Sequence, residues 1–247
     1  MTEAALARAP AAEGATVLRV KDLQAWYDES HVLHGVDLDV GQGEVVTLLG
    51  RNGAGKTTTL KAIMGIVGKR TGSVMFDGRE LIGLSIDRIA RRGVAFCPEE
   101  RAIFASLTVK ENLFLPPEIA KTGAMSAQQI FSLFPNLSER LASGGGKLSG
   151  GEQQMLAIAR ILRTGARFLM LDEPTEGLAP VIIQQIGRTI AELKRQGFTI
   201  LLVEQNFRFA STLADRFFLM EDGRITDAFA NSELMGRMDR LHEALGV

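Results

Sequence analysis

The chain has 247 residues, of which 46% are hydrophobic and 23% charged, an ordinary composition for a globular protein with a large buried core. Its 28 basic and 29 acidic side chains leave a net charge of −1, so no basic excess indicates a nucleic-acid partner. Cys97 is the only cysteine, which excludes an intrachain disulfide and a cysteine-based metal site. The sequence contains no run of about 18 consecutive apolar residues, so no membrane-spanning helix is predicted.

The first fifteen residues are rich in alanine but carry Glu3 and Arg8 within the alanine run. Because they lack a continuous apolar core, they make a poor signal peptide. We therefore expect residues 1–15 to be a flexible N-terminal extension and residues 16–247 to form one domain.

Three β-rich runs follow, "VLRV", "LQAWY" and "VLHGVDLDV", and they end at the turn "GQGE". They predict a small antiparallel sheet. Tyr27 closes the second run, and the neighbouring Trp26 points to the opposite face of the strand. We expect Trp26 to lie in the core.

The next apolar run, "VVTLLG", predicts a buried parallel strand, and "GKTTTLKAIMGI" predicts a helix. Between them, "GRNGAGKT" fits the phosphate-loop pattern G-x-x-x-x-G-K-[ST]. Its glycines let backbone N–H groups surround phosphate oxygens, Lys56 supplies a positive charge, and Thr57 offers a hydroxyl to Mg²⁺. The residues expected to bind the nucleotide here are Gly50, Arg51, Asn52, Gly53, Ala54, Gly55, Lys56, Thr57 and Thr58.

Three further apolar runs, "GVAFCP", "RFLMLDEP" and "FTILLVEQ", predict buried strands that alternate with helical patterns, as an α/β core requires. Polar helical segments with several prolines, closing on "ASGGGK", predict a helical subdomain at about residues 100–160 with a flexible tether. "FFLMEDGRIT" predicts a hairpin, and a short amphipathic helix is expected from about Ser232.

Two acids end the run "FLMLDEP", at the carboxyl edge where open parallel sheets bind ligands. We expect Asp172 to hold Mg²⁺, directly or through water, and Glu173 to activate the attacking water as general base. The alternative is a strand end capped by two solvated acids. The phosphate loop in the same chain favours the catalytic interpretation.

The stretch "LSGGEQQMLAIARIL" has apolar residues at helical spacing, so it predicts a helix that begins near Gly151. Ser149 and two glycines lie at its tip, where backbone N–H groups and a hydroxyl can approach a γ-phosphate. The phosphate loop already encloses one side of the nucleotide. A second donor set is most useful on the opposite side, and a second subunit can bring it there.

With these motifs the chain, from about Val17 onward, resembles the ATP-binding cassette (ABC) ATPases of membrane transporters. The resemblance implies a P-loop NTPase core with a mainly parallel sheet, an N-terminal antiparallel β-subdomain and a helical subdomain that carries the signature motif. It also implies that two subunits sandwich two ATP molecules head to tail, each signature closing on its partner's phosphate loop. The signature residues here are Leu148, Ser149, Gly150, Gly151 and Glu152.

Other positions take their expected roles from the same resemblance. Tyr27 matches an aromatic residue that stacks on adenine. Glu99 stands where a glutamine usually contacts Mg²⁺ and the attacking water, and its oxygens can serve both. Gln205 stands where a histidine usually meets the γ-phosphate, and it can donate a hydrogen bond but carry no proton. Ala179 replaces an aspartate that often contacts the partner subunit, which we expect to weaken crosstalk between the two sites.

Several segments, among them "PEERAIFASLTVKENL", "EPTEGLAP" and "LLVEQN", are similar to the ATPase subunits of high-affinity branched-chain amino-acid importers. The resemblance implies a second ATPase chain, identical or different, and two membrane permease subunits supplied by a solute-binding protein. It places the chain at the cytoplasmic face of the plasma (inner) membrane. Importers of urea, amides and aromatic acids look alike, so the solute stays open.

Two alternative functions and one open question about a surface remain at this stage. The chain could be a soluble cassette ATPase that acts on ribosomes or DNA, or a nucleotide-binding regulator without turnover. Phe104 and the segment "ASLTVKENLFL" are either ordinary core and surface or the groove that accepts a short helix of the membrane subunit. The three histidines have no ligand spacing, so we predict no metal other than Mg²⁺, and Cys97 is expected to be packing.

Overall fold

The computed structural model describes residues 15–119 and 123–246 of the chain. The predicted N-terminal extension therefore lies outside the described residues, apart from Ala15. Within the described ranges, two sheets are formed by the strands β1 (Thr16–Tyr27), β2 (Ser30–Gly41), β3 (Val45–Leu49), β4 (Lys69–Phe76), β5 (Arg79–Glu80), β6 (Val94–Cys97), β7 (Phe168–Asp172), β8 (Thr199–Glu204), β9 (Arg216–Glu221) and β10 (Arg224–Ala230).

The helices alternate with the strands of the core and cluster in the middle of the chain. They are α1 (Lys56–Ile63), α2 (Ile86–Ala90), α3 (Val109–Phe114), α4 (Ala127–Leu133), α5 (Pro135–Glu139), α6 (Gly150–Arg163), α7 (Pro180–Arg195), α8 (Phe207–Ser211) and α9 (Met238–Leu245), with 3-10 helices at Gly145–Lys147 and Asn231–Arg237. In the part of the chain that the structure covers, no helix is both long and apolar enough to cross a bilayer.

The larger sheet has the strand order β10-β9-β3-β8-β7-β6, and every neighbouring pair is parallel except β9 and β10. Strands β3, β7 and β8 are buried along their whole length, as expected for apolar strands covered on both faces. Their carboxyl ends lie at one edge of the sheet. The loops that leave this edge carry the candidate site.

The smaller sheet is antiparallel with the order β2-β1-β4-β5, which confirms the predicted N-terminal β-subdomain. The runs "VLRV" and "LQAWY" belong to one strand, β1, rather than two. Asp22 interrupts its regular pairing with a positive φ of 44°, and the register with both neighbouring strands shifts there. This irregularity accounts for the polar break that the sequence displays between the two runs.

The middle of the chain folds as small helices packed on α6. Their buried side chains, including Val109, Ile130 and Phe134, belong to the same apolar cluster as Met155 of α6. The glycine-rich stretch expected as a flexible tether forms a hydrogen-bonded turn instead. Its amides at positions 145 and 146 donate to carbonyls of residues 107 and 105 at 2.8 and 3.0 Å. The predicted α/β fold is thus confirmed, with the signature helix anchored to this helical region.

Candidate active site

The phosphate loop connects β3 to α1 at the carboxyl edge of the larger sheet. Gly53 and Gly55 have φ values of 82° and 107°, a region that residues with a Cβ rarely adopt. A Cβ at Gly50 would lie 2.5 Å from the carbonyl oxygen of Met220, so this position also requires glycine. The loop therefore has the backbone conformation that turns N–H groups toward a bound phosphate.

Lys56 is buried at the start of α1, and its ammonium group is fully engaged within the chain. Lys56 Nζ donates to the carbonyl oxygens of Gly50 and Arg51 at 2.8 and 2.9 Å, and lies 3.0 Å from Glu173 Oε1. An ammonium group has three hydrogens. An incoming phosphate must therefore replace at least one of these three acceptors.

Asp172 is the last residue of β7, and its carboxylate lies beside the first turn of α1. Thr57 Oγ1 donates to Asp172 Oδ1 at 3.0 Å, whereas Asp172 Oδ2 is buried without a hydrogen-bond partner. Burial raises the pKa of Asp172 to about 6; the Thr57 hydrogen bond opposes this shift, and the negative charges of Glu173 and Glu99 add to it. An unpartnered carboxylate oxygen next to a hydroxyl is a donor set that suits Mg²⁺.

The site contains few protein ligands for such an ion. Among the described residues, no group of three or more His, Cys, Asp or Glu side chains is arranged to hold a metal. Mg²⁺ at phosphate sites typically takes only one or two protein carboxylates and completes its shell with phosphate oxygens and water. Thr57 and Asp172 fit that arrangement, and Glu99 lines the same cleft.

Glu173 follows directly, with a positive φ of 42°, and is almost completely buried. Burial opposes its ionisation, but hydrogen bonds from Gln205 and Glu176 and the charge of Lys56 hold its pKa below the usual value. The pKa of Glu176 is raised instead, because Glu176 shares a hydrogen bond with the Glu173 carboxylate and is partly desolvated, while Lys56 lies 3.0 Å from Glu173. Glu173 is therefore the anion of this pair and can accept a proton.

The cleft between these residues has a volume of about 420 Å³. It is lined by Val32, Asn52, Gly53, Gly55, Lys56, Thr57, Thr58, Glu99, Glu173 and Glu176. One lysine and three glutamates among these side chains leave the lining acidic. A polyphosphate fits such a lining when a cation accompanies it, because the glutamates would otherwise repel it.

Gln205 follows β8 and joins two loops of the site. Its Nε2 atom donates to Glu173 Oε2 at 3.0 Å and to Asn52 Oδ1 at 2.5 Å. Both hydrogens of the amide are used in this way. Gln205 can therefore reach a γ-phosphate only if it gives up one of these acceptors.

Sequence reasoning did not identify Glu176 or the contact of Asn52 with Gln205. The third acid of "DEPTEG" was a visible signal for Glu176, because it follows Glu173 by three residues. No sequence signal marks the contact of Asn52, since its partner is 153 residues away.

Tyr27 lies at the end of β1 with 45% of its surface exposed, opposite Ser30 in the hairpin. It is not among the residues that line the cleft, so stacking on a base stays a prediction. The expectation that Trp26 lies in the core is wrong. Its partly exposed ring stacks on His31 at 4.3 Å and under Lys69 at 5.1 Å. The alanine that precedes it is fully buried in the core instead, and successive side chains of a strand point to opposite faces.

The signature helix α6 begins at Gly150, one residue before the predicted start. Ser149 caps it: Glu152 N donates to Ser149 Oγ at 3.3 Å, and Ser149 N donates to Glu152 Oε2 at 2.8 Å. A Cβ at Gly151 would lie 2.9 Å from Ile182, so this glycine is required for packing. None of the signature residues, Leu148 to Glu152, lines the cleft, so their contact with a phosphate stays a prediction.

Comparison with known proteins agrees with these observations. The family model described as ABC transporter matches residues 33–176, more than half of the chain. The high-affinity branched-chain amino acid transport ATP-binding protein BraG of Pseudomonas aeruginosa is 44% identical over 211 residues, which cover 85% of this chain and 91% of that protein.

Two further relatives broaden the comparison. The lipopolysaccharide export system ATP-binding protein LptB of Haemophilus influenzae is 34% identical over 215 residues, covering 85% of this chain and 89% of that protein. The dimeric structure of a post-hydrolysis state of an ATP-binding cassette bound to ADP and Pi superimposes with a TM-score of 0.77. It is 25% identical and covers 87% of this chain and 98% of its own.

Proposed function

The chain belongs to the ABC transporter family of ATPases, and on that premise we propose that it powers the import of branched-chain amino acids through partner membrane subunits. The observation that carries this solute class is the 44% identity with BraG across most of both chains. The 34% identity with LptB supports a second candidate, lipopolysaccharide export, more weakly. Import of urea, amides or aromatic acids stays a further alternative for the same architecture.

A transport experiment separates these candidates. The chain is reconstituted with the membrane and ATPase subunits that co-purify with it, and uptake of labelled leucine is measured with and without ATP. Excess isoleucine and valine should compete, whereas urea, amides and aromatic acids should not. Co-purification with ribosomes, or with lipopolysaccharide-export membrane proteins, would contradict the proposal.

ATP binding begins with an exchange of partners at Lys56. In the described contacts its ammonium group pairs with Glu173 and with two carbonyl oxygens, and the β- and γ-phosphates are proposed to take the place of Glu173. Thr57, Asp172 and Glu99 would hold Mg²⁺, which supplies positive charge to the phosphate oxygens when bound. Release from Lys56 leaves the Glu173 carboxylate free to accept a proton from water.

Glu173 then acts as general base. Its buried carboxylate is held ionised by the hydrogen bonds of Gln205 and Glu176. Gln205 steers one amide hydrogen toward the γ-phosphate when it leaves Asn52, while the other hydrogen keeps Glu173 in place. Proton acceptance by Glu173 rather than by Gln205 follows from chemistry, since an amide cannot carry the proton.

The second half of the site comes from another chain. The first-turn amides of α6 have no acceptor inside the helix, and Ser149 is exposed at its tip. In a head-to-tail dimer this tip would meet the γ-phosphate held by the partner's phosphate loop, with Tyr27 stacked on the base. ATP that bridges two chains makes closure depend on ATP by mass action.

Mixing two inactive variants tests this geometry. Lys56→Ala and Ser149→Ala each damage every site of their own dimers. A mixed dimer contains one site with an intact phosphate loop and an intact signature, so phosphate release should exceed that of either variant alone. The head-to-tail arrangement fails if ATP-dependent mixed dimers form and release no phosphate. If the chain pairs with a different ATPase, one variant is made in each partner.

The membrane partner is proposed to dock beside α3 and α6. Phe104, Phe114 and Leu115 are exposed there, and the guanidinium groups of Arg160 and Arg163 lie 5.0 and 5.1 Å from the Phe104 and Phe114 rings. Exposed apolar side chains grouped on one part of a surface are typical of partner sites. Docking of two permease subunits here would place the chain at the cytoplasmic face of the plasma (inner) membrane.

A further inference from the structure

The turn that follows β7 is held to the end of β8 at three points. Glu173 N donates to the carbonyl oxygen of Val203 at 3.0 Å. Thr175 Oγ1 donates to Glu204 Oε1 at 2.7 Å, and Gln205 Nε2 donates to Glu173 Oε2 at 3.0 Å. Three consecutive residues at the end of β8 thus each hold one atom of the turn that carries the proposed general base.

The middle contact is buried and has no role in the reaction described above. Glu204 and Thr175 are 3% and 5% exposed, and the other contact of the Glu204 carboxylate is a long one, 3.4 Å from the backbone N of Asn206. Within the described ranges, no lysine or arginine pairs with Glu204. Burial raises the pKa of Glu204 to about 7, and the Thr175 hydrogen bond opposes this shift.

Burying a carboxyl group at a strand end without a paired cation carries a desolvation free-energy cost. An apolar residue of similar size would avoid the desolvation cost, so this residue does not serve stability alone. Glu204 lies between Val203, which holds the Glu173 backbone, and Gln205, which holds its side chain. Positions that break a local packing rule are expected near functional sites.

We propose that the hydrogen bond between Thr175 and Glu204 positions the Gln205 amide against the Glu173 carboxylate. Glu173 has a left-handed backbone conformation, which persists only where the surrounding contacts fix it. If the middle contact is removed, the turn can shift relative to β8, and Gln205 and Glu173 lose their alignment. Thr175 and Glu204 are positioning residues, because neither touches the cleft.

The test separates positioning from stability in the full chain, assembled with its partner ATPase where one is required. Thr175→Val keeps the shape of the side chain and removes its hydroxyl. We expect kcat for ATP to fall about tenfold, in line with the sensitivity of catalysis to small misplacements. The Kd for ATP should stay within about twofold, because the phosphate loop is untouched, and Thr175→Ser should recover kcat.

Thr199→Val is the matched control, because Thr199 is the first residue of β8, is equally buried, and accepts a hydrogen bond from Gly43 N at 2.9 Å. This variant should lower Tm and leave kcat unchanged. Glu204→Gln retains an oxygen that accepts from Thr175, so its kcat should exceed that of Thr175→Val. If Glu204→Gln loses as much activity as Thr175→Val, the charge of Glu204 and not its hydrogen bond is responsible, and the proposal is overturned.

The inference rests on the proposed role of Gln205. Variants made in a Gln205→Ala chain distinguish failure of that role from failure of the positioning by Thr175. If Gln205→Ala leaves kcat unchanged, the role of Gln205 fails. If Gln205→Ala lowers kcat, Thr175→Val added to it should lower kcat no further, because the positioned amide is already gone. A full additional tenfold loss, or an unchanged kcat in Thr175→Val alone, overturns the positioning role. Thr175→Ala replaces Thr175→Val in every arm if the valine variant does not fold.

Discussion

The phosphate loop and the signature tip are both suited to an anion, but they are built in opposite ways. Around the phosphate loop, Lys56, Glu173, Gln205 and Asn52 form a continuous set of contacts, so the ammonium group of Lys56 and the amide of Gln205 already have acceptors within the chain. A nucleotide therefore enters this region by replacing contacts. The cost of breaking them offsets part of the binding energy of the phosphates.

The hydrogen bonds of the signature tip are those of a capped helix terminus, with no contact to the cleft. The side chains of Ser149 and Glu152 each accept a hydrogen bond from the backbone N–H of the other residue. Leu148 and Gly151 are buried, whereas Ser149 is exposed. Nothing in the described part of the chain brings it to the cleft. One region is therefore restrained by its own contacts, whereas the other, as proposed above, acts on ATP that a partner chain holds.

The comparison is tested most severely by Glu173→Gln. Loss of the proposed general base should slow phosphate release by about 10²–10⁴-fold. ATP should bind at least as tightly as to the native chain, because Lys56 no longer has an anionic competitor at 3.0 Å. Phosphate release and equilibrium nucleotide binding measure the two effects. Weaker ATP binding in this variant would show that the pair with Lys56 does not restrain the phosphate loop.

Gly150→Ala tests the other region. An added Cβ would lie 3.5 Å from the Arg101 guanidinium, an ordinary contact, and alanine favours the first turn of α6. Tm should therefore stay constant or rise. Turnover should fall about a hundredfold, the usual cost of removing one donor to developing charge, because the methyl group blocks the approach of a phosphate. Unchanged turnover, measured by phosphate release in ATP-dependent dimers, would remove the tip from the mechanism.

The stability cost of the cleft is measurable at Asp172. Its folded pKa of about 6 lies above its ordinary value of 3.8, so the folded chain holds this proton more tightly than the unfolded chain does. The resulting stabilisation is complete below about pH 3.8 and is lost as the pH rises through about 6. The difference between a pKa of 3.8 and one of about 6 corresponds to about 3 kcal/mol.

Asp172→Asn cannot ionise and should therefore escape this loss. Urea unfolding should find the variant more stable than the native chain at pH 7, by up to about 3 kcal/mol, and similar to it at pH 4. Equal free energies of unfolding at pH 7 would show that the cleft does not destabilise the fold through this carboxylate. No comparable pH dependence is expected from Gly150→Ala, since the tip contains no buried acid.

The smallest expected effect concerns Tyr27, outside both regions. Loss of one stacked ring costs about 1–3 kcal/mol, so Tyr27→Ala should raise the Kd for ATP about tenfold. Tyr27→Phe should match the native chain, and the ratio of the Kd values for ATP and GTP should not change. Trp26→Ala is the control, because its ring is already stacked on His31. An equal effect of both alanine variants would rule out a specific role for Tyr27.

Local features of the fold could be predicted because neighbouring residues encode them. The glycines of the phosphate loop, the serine cap of α6 and the acids after β7 all act over a few positions of the chain. Burial of Cys97 in β6 is also confirmed, and desolvation there raises the pKa of its thiol to about 12. Strands β4 and β5 were not predicted, since their short polar runs lack the apolar pattern of the core strands.

The sequence by itself determined the α/β architecture, the phosphate loop, the paired acids and the capped signature helix, since backbone conformation and hydrophobic patterning are local properties. Tertiary structure alone decided that Lys56 pairs with Glu173, that Gln205 bridges Glu173 and Asn52, and that Trp26 leaves the core. Each of these depends on which loops meet at the edge of the sheet or on which face of a strand packs against the core. Contacts between residues more than a hundred positions apart leave no periodic signal in the chain, because only the strand order brings their atoms together.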